Sequence, residues 1–115
     1  MHPQLQFIFD YFPNDDIIIV GSAVSDFGKA HDIDVQFLDA AQYLVACKHY
    51  DLKYNGWDTA RGHVRRANMR VRGVFLPVQL IHVDTTKTAE DHPHVVLLRD
   101  GTVLHEDQHY NKLHP

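Results

Sequence analysis

The chain has 115 residues, 44% of them hydrophobic, and a formal charge of −4. That length fits one domain over residues 1–115 with a modest core, and no stretch approaches the ~20 apolar residues of a membrane span. The net charge argues against nucleic-acid binding driven by total charge alone.

The first predicted element is a helix. Pro3 suits its first turn, and Leu5, Ile8, Phe9 and Phe12 recur at helical spacing. The preceding Met1-His2-Pro3-Gln4 carries neither a basic region nor a long apolar run, so no signal peptide is expected. Pro13 and Asn14 end the helix. Ile17 to Val20 is a run of β-branched residues and reads as a buried strand, broken by Gly21-Ser22.

Residues 23–31 read as a loop or short helix. From Asp32 to Leu38 the pattern alternates: Ile33, Val35 and Phe37 share one face, Asp32, Asp34 and Gln36 the other. This is a strand with one face on the core. Asp39 is a good N-cap for a helix over Ala40–Tyr50, with an apolar stripe of Ala40, Tyr43, Leu44, Cys47 and Tyr50. Cys47 is the only cysteine, which excludes an internal disulfide and fits a cytoplasmic setting.

Asn55-Gly56 marks a turn. Residues 53–73 hold six of the eleven basic residues, Lys53, Arg61, Arg65, Arg66, Arg70 and Arg72, opposed only by Asp58. Within them Arg66 to Arg72 alternates and predicts a strand. Val74 to Val83 predicts another, its pairing limited by Pro77. Val95–Leu98 and Thr102–His105 flank Asp100-Gly101, a hairpin signal. The alternation of helices and strands predicts an α+β chain, a mixed sheet with helices packed on it.

One constellation carries chemistry. A buried strand ends in Gly21-Ser22, and nine residues later Asp32-Ile33-Asp34 opens a second strand. Residues two apart on a strand point the same way, roughly 6–7 Å apart, so the two carboxylates can converge on divalent ions. A Gly-Ser turn lets backbone amides and a hydroxyl approach phosphate oxygens. The turn is therefore expected beside the start of the Asp32–Leu38 strand.

These residues resemble the signature of the DNA polymerase beta superfamily of nucleotidyltransferases, above all its minimal members. Leu76-Pro77-Val78-Gln79-Leu80-Ile81 is similar to the strand that brings the family's third carboxylate. Arg99 to Glu106 is similar to the Gly-containing hairpin that often closes minimal members. The resemblance implies a nucleotidyltransferase fold and a role for Gly21 and Ser22 in binding the phosphates of a nucleoside triphosphate such as ATP. It implies Asp32 and Asp34 as catalytic ligands of Mg²⁺ (or Mn²⁺). The expected reaction is transfer of a nucleotidyl group to a hydroxyl of a protein or RNA acceptor. The alternative is a degenerate binding protein or antitoxin-like partner. Minimal members often work with a small helical partner protein, so such a partner or a homo-oligomer is also expected.

The sequence departs from the family pattern at Gln79, where the third carboxylate should stand. A neutral amide is neither an anionic ligand nor a base. Asp84 is the substitute catalytic carboxylate, but its strand parity is opposite to that of Gln79 unless a bulge intervenes. Lys29 is a candidate phosphate contact or an exposed lysine. Arg70 and Arg72 are candidate phosphate or acceptor contacts, or a solvated face. Trp57 and Tyr54 are loop anchors or a base-stacking platform. His31-Asp32 opens a strand, unlike the helical pair of metal phosphohydrolases, and His92-Pro93-His94 lacks the third residue of a histidine triad.

Overall fold

The computed structural model describes residues 1–59, 62–85 and 95–105. Helix α1 (Pro3–Tyr11) starts where expected, with the His2 ring nitrogen accepting from the Gln4 N–H at 3.0 Å. Strand β1 (Ile17–Val20) leads through Gly21 into a single helical turn, α2 (Ser22–Ser25), and a 3₁₀ turn at Phe27–Lys29. Strand β2 (Ile33–Phe37) follows, then helix α3 (Ala40–His49). The Asp39 carboxylate caps α3 by accepting from the Gln42 N–H at 2.9 Å. The remaining elements are strands β3 (Asn55–Thr59), β4 (Gly62–Met69), β5 (Val78–Thr85), β6 (Val95–Leu97) and β7 (Val103–His105).

The strands form a seven-stranded mixed sheet in the order β3-β4-β5-β2-β1-β6-β7. Among the described strands only β2 and β5 run parallel; the other pairs are antiparallel. The chain is thus α+β, with its two longer helices on one face of a mixed sheet. Helix α1, through Leu5, Ile8 and Phe9, and α3, through Tyr43, Ala46 and Cys47, pack with Ile17, Ile19, Ile33, Val35, Phe37 and Leu80. Period-two alternation sends Ile18 and Val20 to the other face, where they cluster with Val96 and Leu104.

Four expectations are corrected. Asn55-Gly56 is not a turn: Asn55 pairs with Arg66 and Gly56 with Arg65 across β3 and β4. Gly56 serves the pairing by having no Cβ, which would sit 2.9 Å from the His63 ring. The basic strand runs from Gly62 to Met69 rather than Arg66 to Arg72, and Arg72 lies in a turn with Gly73 at φ +92°. The next strand starts at Val78, after Pro77, which has no N–H to give a ladder and uses its carbonyl to accept from Ile33 at 2.9 Å. On α3 the buried stripe is Tyr43, Ala46 and Cys47, with Leu44 exposed, because the helix turns its i, i+3, i+4 residues to the sheet. The β6–β7 hairpin is as expected, with Gly101 at φ +93° and Leu98 donating to Thr102 at 2.9 Å. No helix among the described residues is long and apolar enough to cross a membrane.

Candidate functional site

The antiparallel register of β1 and β2 sets Val20 opposite Asp34. The chain beyond Val20 therefore turns away beside the start of β2. Gly21 occupies that corner at φ +83°, and a Cβ on it would meet the Asp34 Oδ2 atom at 3.2 Å. Glycine is required here twice over, for its backbone angle and for the closeness of a carboxylate. Its N–H continues the ladder to Val95 at 3.2 Å, and its carbonyl accepts from Val24 at 3.1 Å. Ser22, the next residue, is exposed at the start of α2.

Asp34 is the unusual residue of this corner. It stands in the middle of the sheet, half-buried, and its Oδ1 atom is buried with no hydrogen-bond partner. Its pKa is raised from 3.8 to about 6, and burial is the largest cause. The neighbouring Asp32 carboxylate contributes to the rise, and the Arg66 guanidinium opposes both. A buried carboxylate oxygen without a donor is costly unless something positive reaches it.

The parallel register of β2 and β5 sets Gln79 opposite Asp34, and the β4–β5 register sets Asn68 opposite Gln79. Val20, Asp34, Gln79 and Asn68 thus form one row across β1, β2, β5 and β4. The next row reads Ile18, Gln36, Ile81 and Arg66, by the same pairings. Both rows lie on the face away from α1 and α3, since the alternate residues Ile33, Val35, Leu80 and Ala67 belong to the helix-covered core.

The remaining candidates are dispersed. Asp84 pairs with His63, and β4–β5 register runs unbroken from Gly62↔Thr85 to Met69↔Val78. No bulge changes its parity, so Asp84 lies on the face opposite Gln79 and five residues further along the strand. Its surroundings are those of His82, which is buried and held below its ordinary pKa by that burial and by Arg65. Lys29 is largely exposed and reaches Asp26 at 3.8 Å. Arg70 lies beyond the end of β4 and donates to the Phe75 carbonyl at 2.9 Å. Arg72 is exposed in the following turn. His92-Pro93-His94 lies outside the described residues.

The residue that sequence reasoning passed over is Arg66. It shares β4 parity with Asn68 and is the cation whose field reaches Asp34. The signal was present in the alternation of Arg66 and Asn68 with Ala67 and Met69. The β2–β5–β4 register that brings it to Asp34 was not.

The residues fit a divalent cation in part. Two carboxylates share a face, and one, Asp34, has an orphaned buried oxygen while its other oxygen lies against the Gly21 corner. Among the described residues no three His, Cys, Asp or Glu side chains gather to hold a metal, and the neutral Gln79 stands where a third carboxylate would complete such a group. In comparisons with known proteins the chain has no significant match to any family model, curated protein or solved structure.

Proposed function

We propose that this chain is a minimal nucleotidyltransferase of the DNA polymerase beta type, and that its site lies at Gly21, Ser22, Asp32 and Asp34. In this reading it uses a nucleoside triphosphate, ATP among the candidates, and transfers the nucleotidyl group to a hydroxyl of a protein or RNA acceptor in the cytoplasm. Asp32 and Asp34 hold Mg²⁺ or Mn²⁺. Such an ion, when bound, neutralises phosphate oxygens and eases ionisation of the attacking hydroxyl. The Gly21 corner brings backbone close to the same place, and the Ser22 hydroxyl follows it, so a phosphate can be bound beside the carboxylates. Gln79 orients a hydroxyl or a water with its amide but takes no proton from it.

The observation that supports this best is the orphaned Oδ1 atom of Asp34, a carboxylate whose other oxygen, Oδ2, lies against Gly21. Holding an unpaired carboxylate oxygen out of water costs stability, and a cation is the partner that two adjacent carboxylates recruit. A second reading has its own support. The register of Gln79 against Asp34 leaves the site with two carboxylates, which favours a protein that binds a metal-nucleotide and a helical partner protein or second copy without turnover.

One experiment separates the two readings. The purified protein is incubated with each α-labelled nucleoside triphosphate, Mg²⁺ or Mn²⁺, and mixed RNA and protein acceptors. Label on an acceptor that vanishes in Asp34→Asn supports transfer. Metal-dependent nucleotide binding with no label, restored by Gln79→Asp, supports binding without turnover. Absence of both binding and transfer overturns both readings.

A further inference from the structure

The face that carries Asp34 continues outward across β5 and β4 to the edge strand β3. On β3 stands Trp57, the only tryptophan of the chain, 40% exposed, paired across the hairpin with Val64. The Arg66 guanidinium lies over its indole ring, 5.5 Å from the centroid. Asp58, the one acidic residue among the basic residues of this segment, has opposite parity and pairs with the His63 ring at 2.8 Å on the other face. On the face it shares with Asp34 the hairpin therefore presents an indole and a guanidinium, with the amides Asn55, Asn68 and Gln79, and among the described residues no opposing carboxylate short of Asp34 and Asp32.

An aromatic plane with an arginine on it binds a base by stacking and the adjoining phosphate by charge, without reading sequence. The distance decides which ligand fits. Trp57 lies three strand spacings from β2 in the order β3-β4-β5-β2, roughly 14 Å at ~4.8 Å per spacing, and its row through Val64 and Val83 stands four residues, roughly 13 Å, along the strands from the row of Asp34 and Gln79, so the separation is roughly 19 Å. A stacked single strand advances roughly 3.4 Å per nucleotide, so about six nucleotides cover that span. One triphosphate held at Asp32 and Asp34 does not reach so far with its own base.

We propose that the β3–β4 hairpin is a docking site for single-stranded nucleic acid. Bases stack at Trp57, phosphates meet Arg66, and the strand's terminal hydroxyl is led across Asn68 and Gln79 toward the acidic pair. The assignment of the strand as acceptor rests on the nucleotidyl-transfer reading; the binding site itself stands on Trp57 and Arg66. The net charge of −4 does not oppose it, because the cations are concentrated in this segment and short-range contacts are screened beyond about 8 Å at physiological salt.

The sole tryptophan makes the test direct. A ten-nucleotide RNA, the same sequence as DNA, a duplex of it, and free AMP are titrated into the full chain without metal or triphosphate, reading Trp57 fluorescence. Binding of labelled strand to variants is read by anisotropy. Both single strands should quench the indole. Arg66→Ala should weaken binding roughly tenfold and flatten the salt dependence by about 0.7 in log–log slope, the share of one phosphate. Trp57→Leu should weaken binding by a similar factor, and Trp57→Phe should recover most of it. Circular dichroism confirms that each variant is folded, and the exposed Asn55→Ala serves as a second hairpin variant if one is not. Unquenched fluorescence at saturating strand overturns the proposal. So do equal binding of duplex, equal quenching by AMP, or unchanged affinity in both Arg66→Ala and Trp57→Leu. Strand binding that persists while metal-nucleotide binding at Asp34 is absent would reject the transfer reading alone; the reverse would reject this site alone.

Discussion

Asp34 is the residue on which stability and chemistry meet. Its folded pKa of about 6 stands above the unfolded 3.8, so the fold prefers the protonated carboxyl. That contribution is fully present below about pH 4 and is lost as pH rises through 6. Discounted for the solvent that reaches a half-buried group, ionisation at neutral pH costs roughly 1–2 kcal/mol. Without divalent ions, Asp34→Asn should therefore gain about that much at pH 7.5 and almost nothing at pH 4. Urea melts at the two pH values measure it, and a mutant less stable than the natural protein at pH 7.5 would give Asp34 a structural role instead. Gln79→Asp works in the opposite direction. A third carboxylate opposite Asp34 should destabilise the metal-free protein, tighten Mn²⁺ binding, and raise any transfer rate by on the order of 10²-fold. A rate unchanged by that substitution would remove Gln79 from the site. The sequence made this corner readable, because a period of two places Asp32 and Asp34 on one side and only glycine tolerates the turn after Val20. Arg66 was not readable, since its nearness to Asp34, 32 positions away in the chain, is set by strand pairing rather than by local spacing.

At the scale of the elements, α1 depends on a residue far away in sequence. The Arg99 guanidinium donates to the Phe9 carbonyl at 2.6 Å and to those of Phe12 and Asp15 at 2.8 Å each, and lies over the Phe9 ring. Helix ends leave carbonyls without partners, and here one planar fork satisfies the end of α1 and the loop after it. Arg99→Ala should cost roughly 2–3 kcal/mol, and Arg99→Lys should recover only part of it, as judged by chemical denaturation. A loss below about 0.5 kcal/mol would mean that water replaces the fork without penalty. Arg99 looked like part of a turn because its partners lie in a different element. Gln4 acts similarly, donating to the Gly73 carbonyl at 3.0 Å and accepting from the Phe75 N–H at 2.8 Å, and so fastens the β4–β5 connection to α1. The caps and apolar faces of the helices were legible because they are local. The misreading of Asn55-Gly56 has a physical cause: turn residues there are overridden by pairing with Arg65 and Arg66, and Gly56 answers to the His63 ring rather than to a turn.

On the scale of the whole molecule, the sheet order joins strands that are distant in sequence. The parallel β2–β5 pair sits near the middle and sets Asp34 opposite Gln79, and the β4–β5 pairing places Arg66 in the neighbouring row. Composition and alternation pointed to a mixed sheet under helices; the order of its strands is a property of non-local pairing and was not legible. The central claim is that this corner binds a divalent ion together with a nucleotide, and thermal melting with Mn²⁺ and a non-hydrolysable ATP analogue tests it most directly. At about a hundredfold excess over the dissociation constant such binding adds about 2.7 kcal/mol. For a domain of this size that is a rise of roughly 10 °C in Tm. The natural protein should show this rise only when metal and analogue are both present, and Asp34→Asn should show none. A natural protein that does not respond, or an Asp34→Asn variant that responds equally, would contradict the claim.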